Sequence, residues 1–141
     1  MTDLTAALAA LAGHYQASPS LPSWVAIDYS HVEKTVRVLV DLDNDSAADA
    51  LITWSNSLDD HEIWVDRFRV GLASTTHDQV QIRADIDGQQ VVIWREVPGF
   101  GEFIGAPDVD GLGKRVLVQA SVEQLRAFRL SGRDHIDAVA A

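Results

Sequence analysis

An α+β fold, an antiparallel sheet of five or six strands with helices packed on it, is predicted by three features of this 141-residue sequence. Several short runs alternate apolar and polar residues with period two, as half-buried strands do. Two of these runs meet at Asp87-Gly88, a dipeptide that favours a tight antiparallel hairpin. Other stretches space apolar residues three and four apart, as helices do when one face lies on a core. The length suits one domain over residues 1–141, large enough to bury a core without disulfides or metals.

The first element is a helix. Leu4, Ala7, Leu8, Leu11, Ala12 and Tyr15 form one apolar stripe, Thr2 or Asp3 caps the start, and the two prolines of "ASPSLPS" end it. "SWVAIDY" and "KTVRVLVDL" then alternate as strands, and the short link "SHVE" makes them an antiparallel hairpin. A second helix runs from about Ser46 to Leu58. Its stripe is Ala47, Ala50, Leu51, Trp54 and Leu58, with Asp45 or Ser46 as N-cap and Asp49 in the capping-box position.

Three strands follow: "EIWVDRFRV", "QVQIRADI" and "QQVVIWREV". The two-residue turn at Asp87-Gly88 sets Ile86 opposite Gln89 and Ile82 opposite Ile93. One hairpin face therefore collects Val80, Ile82, Ala84, Ile86, Val91 and Ile93 for the core. The other face carries Gln81, Arg83, Asp85, Gln90, Val92, Trp94 and Glu96. Trp94 stands opposite Gln81, and Trp64 and Phe68 share its side. So much aromatic area predicts a cover, either the C-terminal third of the chain or a partner. "PGFGEFIGAPDVDGLGK" has five glycines and two prolines, too long for an ordinary connector. "RVLVQ" adds a short strand, and Ser121 caps a last helix to about Leu130 with Gln124 in the capping-box position. Residues 131–141 are expected to be a loosely ordered tail.

The net charge of −10 disfavours binding to nucleic-acid backbones, because counterion release needs clustered Lys and Arg, and no direct nucleic-acid binding is expected. It also disfavours anionic membrane surfaces. From Leu39 to Asp66 there are eight acidic residues and no Lys or Arg, an acidic lobe able to steer a basic partner. With no cysteine there is no disulfide, zinc-thiolate site or thiol nucleophile. The N-terminus carries Asp3 and lacks a basic leader region, and no apolar run is long enough to span a bilayer, so a cytoplasmic protein is expected.

"VLVDLDND" is similar to the first motif of haloacid-dehalogenase-type phosphatases, which implies Asp41 as nucleophile and Asp43 as acid/base. The sequence departs from that family after the second aspartate, where Asn44 and Asp45 stand. It also departs in placing the run after a hairpin rather than in a parallel sheet. As a calcium loop, Asp41, Asp43 and Asp45 fit, but Ser46 replaces the required glycine and Ile52 the required glutamate. The bland reading is therefore preferred: Asp41 beside Arg37 on a solvent face, with Asp43 and Asp45 in a turn and cap. "DDHEIW" gathers Asp59, Asp60, His61 and Glu62 and reads as a polar turn rather than a metal site. His14, His31, His77 and His135 stand singly, and no metal or cofactor is expected.

"LAALAGHYQASPSLP", two strands, a helix around Trp54 and a strand ending in "WREVPGF" resemble a group of small uncharacterised actinobacterial proteins found in phage-like or integrating elements. The likeness spans about residues 1–100. It implies no activity and favours an accessory role in the biology of a mobile element.

The residues point to a non-catalytic, acidic accessory or regulatory protein that binds a protein partner or a second copy of itself as a homodimer. It would mask a basic surface as immunity or inhibitor proteins do. Its partner-binding residues would be Asp59, Asp60 and Glu62 for charge, with Trp94, Phe100 and Phe103 for contact energy. The alternative is a metal-dependent phosphatase or hydrolase using Asp41 and Asp43.

Overall fold

A computed structural model describes residues 4–41, 46–69, 75–110 and 114–133. Chain order gives α1 (Leu4–Ala17), β1 (Trp24–Ser30), β2 (Thr35–Val40), α2 (Ala47–Asn56), β3 (His61–Phe68), β4 (His77–Ile86), β5 (Gln89–Glu96), α3 (Phe100–Phe103), β6 (Arg115–Ala120) and α4 (Val122–Leu130). The six strands form one sheet in the order β1-β2-β5-β4-β3-β6. The class is the α+β expected. The proposed caps at Thr2 and Asp3, the aspartates Asp43 and Asp45, and tail residues 134–141 lie outside the described residues.

One pairing corrects the expectation of a wholly antiparallel sheet. β2 and β5 run parallel, with Val36 opposite Val91 and Leu39 opposite Trp94, while every other neighbouring pair is antiparallel. Tight turns dictate direction only between consecutive strands. β2 and β5 are separated by α2, β3 and β4, so no local signal bears on how they meet. The Asp87-Gly88 turn itself takes positive φ at both residues (51° and 79°), the geometry that suits strand twist. It sets Ile86 opposite Gln89 and Ile82 opposite Ile93, as read from the sequence.

One face of the sheet is covered by all the long helices. Val36, Val38, Val40, Val65, Val80, Ile82 and Ile93 are fully buried against Leu11, Leu51, Trp54, Leu125 and Phe128. Each large side chain so buried is worth about 1.5–3 kcal/mol. α2 packs on α4 and β5, and α1 on β5 and β4. Ser46 caps α2 by accepting from the Asp49 N–H at 3.1 Å, and Ser121 and Gln124 complete the capping box of α4. α1 buries Ala7, Ala10 and Leu11 but leaves Leu4 and Leu8 exposed, so its predicted stripe is rotated. That helix is apolar around most of its circumference, and periodicity alone does not fix its inward face. No helix among the described residues is long and apolar enough to cross a membrane.

The glycine-rich segment folds onto the same covered face. Phe100 is fully buried and meets the Phe128 ring edge-on, with centroids 5.4 Å apart. Beneath it lies a buried ion pair, Arg67 Nε to Asp78 Oδ1 at 2.7 Å, with side chains only 5% and 2% exposed. Asp78 Oδ2 accepts the Gly101 N–H at 2.9 Å, and Arg67 Nη1 donates to the carbonyls of Ala106 and Pro107 at 3.1 and 2.9 Å. Both charges are thus hydrogen-bonded as well as paired, the condition for tolerating charge in a core. A Cβ on Gly101 would fall 2.6 Å from Asp78 Oδ1, so only glycine fits there. This first half of the segment is a structural strap rather than a lid.

Candidate functional site

The other face of the sheet carries no helix among the described residues, and β-pairing arranges its side chains in lateral rows. One row runs Asp28, Arg37, Val92, Arg83 and Glu62; the next runs Ala26, Leu39, Trp94, Gln81, Trp64 and Gln119. Trp94 is opposite Gln81 and Trp64 lies on the same face, as the hairpin register requires. Among the described residues the C-terminal third does not cover this face, because α3 and α4 sit on the opposite side. The aromatic rings are covered locally instead. Arg37 lies 5.6 Å over Trp94, Arg83 5.3 Å over Trp64 and Arg115 5.3 Å over Phe68. Cation–π attraction and the apolar arginine stems shield the rings while the charged ends stay wet. This leaves all three rings half-buried within the described residues.

Between these arginines runs a hydrogen-bond relay. Arg37 Nη2 and Gln81 Nε2 both donate to Gln79 Oε1, at 3.1 and 2.8 Å. Arg83 donates through Nε and Nη2 to Gln81 Oε1 at 3.3 and 3.1 Å. Gln81 is buried, at 5% exposure, and anchors the relay. The floor and walls enclose a groove of about 540 Å³. At one end Arg115 Nη2 pairs with Asp66 at 2.9 Å, and His77 Nδ1 meets Glu96 Oε1 at 2.7 Å.

The opposite end of the face is acidic. Asp59 and Asp60 are exposed in the turn before β3, and Glu62, Asp85 and Asp87 are exposed nearby on β3 and the β4–β5 hairpin. None of these five carboxylates lies in an ion pair among the described residues, whose six such contacts involve Asp49, Asp66, Asp78, Glu96, Asp108 and Asp110. Glu62 accepts the Trp64 indole N–H at 2.9 Å, and Asp85 accepts from the Gly88 N–H at 2.8 Å.

The structure brings some of the nominated partner residues together and separates others. Asp59, Asp60 and Glu62 cluster, and Trp94 is on the same open face. Phe100 belongs to the core on the far side and has no surface to offer a partner. Phe103 is half-buried there against Phe128, at 5.3 Å between centroids. Asp41, of the alternative catalytic pair, follows β2 and donates its N–H to the Ser23 carbonyl at 2.8 Å; Asp43 is outside the described residues. Arg95 Nη1 donates to the Val40 carbonyl at 3.0 Å, which ties the same end of β2 to β5. His61 Nε2 meets Ser55 Oγ, but Ser55 is 2% exposed, so the pair presents no accessible nucleophile. Among the described residues no three His, Asp or Glu side chains are placed to hold a metal ion.

The arginine relay and the buried Arg67–Asp78 pair were missed by the sequence reading. A signal for the second exists: Arg67 continues the inward parity of Ile63 and Val65, and Asp78 that of Val80 and Ile82. Compared with protein families, curated proteins and solved structures, the chain matches none.

Proposed function

We propose that the protein is a non-catalytic binding module, working in the cytoplasm, that docks a protein partner through the acidic end of its open sheet face. The observation that carries this reading is the set of five exposed carboxylates, Asp59, Asp60, Glu62, Asp85 and Asp87, none with a cationic partner among the described residues. In a chain of net charge −10 they are a concentrated field that accelerates encounter with a basic surface and orients it. Trp94, half-buried under Arg37, lies further along the same face and would contribute contact area once the partner is seated. Masking a basic surface, as an inhibitor or immunity protein does, is the role this arrangement suits.

The test is a pull-down from extract of the host, using the full chain and a variant carrying Asp59→Asn, Asp60→Asn and Glu62→Gln. A specific complex that weakens steeply with salt and is lost in the variant supports the reading. A complex indifferent to both salt and the variant overturns it. Light scattering of the isolated protein separates a second copy from a foreign partner: a doubled mass makes the partner the chain itself.

The hydrolase alternative has one observation in its favour. The parallel pairing of β2 with β5 sets Asp41 just beyond the carboxyl end of a parallel strand, where α/β proteins place ligands. Its test is phosphatase activity with magnesium in the parent beside Asp41→Asn. Equal background rates in both end that reading.

A further inference from the structure

The groove at the centre of the open face has a chemistry that docking a basic partner does not use. We propose that it is an oxyanion site, binding the carboxylate or phosphate group of a small-molecule ligand through Arg37, Arg83 and Gln79. Arg37 and Arg83 both line this groove, and neither has a carboxylate within 4 Å among the described residues. Arg69, Arg95, Arg126 and Arg133 also lack one, but none of those four lines the groove. Asp28 and Glu62 stand opposite Arg37 and Arg83 in the register, yet Glu62 is engaged by the Trp64 indole and Asp28 forms no ion pair. Of the remaining carboxylates at the groove, Asp66 is held by Arg115 and Glu33 is exposed.

The polar inventory of the groove is lopsided. The side-chain oxygens of Gln79 and Gln81 already accept two N–H groups each. A guanidinium carries five N–H donors and an amide two. Arg37 spends one on this relay, Arg83 spends two, and the Gln79 amide nitrogen has no recorded acceptor among the described residues. What is left is a surplus of donors with no acceptor, and the complementary ligand is one made of acceptors. Guanidinium forks match the two oxygens of a carboxylate or phosphate in bidentate fashion. Stacking on Trp94 and Trp64 and bonding to the glutamines hold both forks in place beforehand, which lowers the ordering cost of binding. A volume of about 540 Å³ falls in the small-molecule range and exceeds what a lone chloride requires.

The site is tested by titrating sodium phosphate or sodium succinate into the isolated full chain at constant ionic strength, following the four indole N–H resonances by NMR. Trp64 and Trp94 should shift saturably while buried Trp54 does not, and the anion that saturates at lower concentration identifies the group. Arg37→Met and Arg83→Met should each weaken binding tenfold or more, and Arg126→Met, on the far side on α4, should not. If the Met variants fail to fold, Arg37→Lys and Arg83→Lys keep the charge but lose the fork and should still weaken binding. The proposal falls if neither anion saturates by about 10 mM, a millimolar affinity being the floor for a built site. It also falls if the shifts survive at full strength in the arginine variants. This titration contains no protein partner, so its outcome is independent of the pull-down.

Discussion

Asp66 and Arg67 are adjacent on β3, and each pairs with an opposite charge, but they point to opposite faces of the sheet. Arg67 meets Asp78 on the covered face, with both side chains almost wholly buried and three carbonyl or amide groups bound around them. Asp66 meets Arg115 on the open face, where the guanidinium is 64% exposed and lies on a phenylalanine ring. The same two residue types therefore serve different ends. The buried pair holds the α3 segment onto the core at a high desolvation cost that its hydrogen bonds offset. The open pair is hydrated only on its Arg115 side, Asp66 being 11% exposed, and it is held by fewer hydrogen bonds than the buried pair, so it contributes less to stability.

Four substitutions probe this contrast by urea denaturation followed through tryptophan fluorescence. Asp78→Ala leaves buried Arg67 with only the exposed Asp108, 3.8 Å away, as counter-charge and should cost about 3–5 kcal/mol; a loss under about 1 kcal/mol would erase the difference between the faces. Gly101→Ala drives a methyl group into that ion pair, 2.7 Å from Arg67 Cδ, and should cost about 1–3 kcal/mol. Ser121→Ala removes half of the capping box that starts α4 on the covered face, for about 1 kcal/mol. Arg115→Ala, the open-face counterpart of the first change, removes a 64% exposed guanidinium but leaves Asp66, 11% exposed, without its cation, and should cost about 1 kcal/mol. If Arg115→Ala matched Asp78→Ala, the open face would have to be read as a second core.

Much of the fold was legible in the sequence wherever one physical rule acts over a few residues. The Asp87-Gly88 turn needs positive φ, so it fixes its own hairpin and the residues on each side of it, Trp94 opposite Gln81 included. The Ser121 and Gln124 side chains each accept the other's backbone N–H, three residues apart, so the start of α4 is written locally. The candidate face was only half legible. Alternation placed Trp64, Trp94 and Arg83 on one side, but their content of aromatic area implied a cover. The arginines lying on those rings come from register between strands, and Arg37 reaches Trp94 only because β2 sits parallel to β5. Sequence alone left Phe100 open between a partner contact and a ring tucked into the sheet, and it is core because the strap closes over Arg67 and Asp78.

By itself the sequence determined the six strands and three long helices, the β1–β2 and β4–β5 hairpins, the caps at Ser46 and Ser121 and the two faces of the β4–β5 hairpin, because periodicity and turn chemistry operate within about ten residues. The tertiary structure alone decided that β5 inserts beside β2, that the last helix joins the first two on one side, and that a glutamine relay links two guanidiniums with no carboxylate partner among the described residues. Those outcomes depend on contacts between residues some 40 positions apart, such as Arg37 and Gln79, which no local pattern encodes.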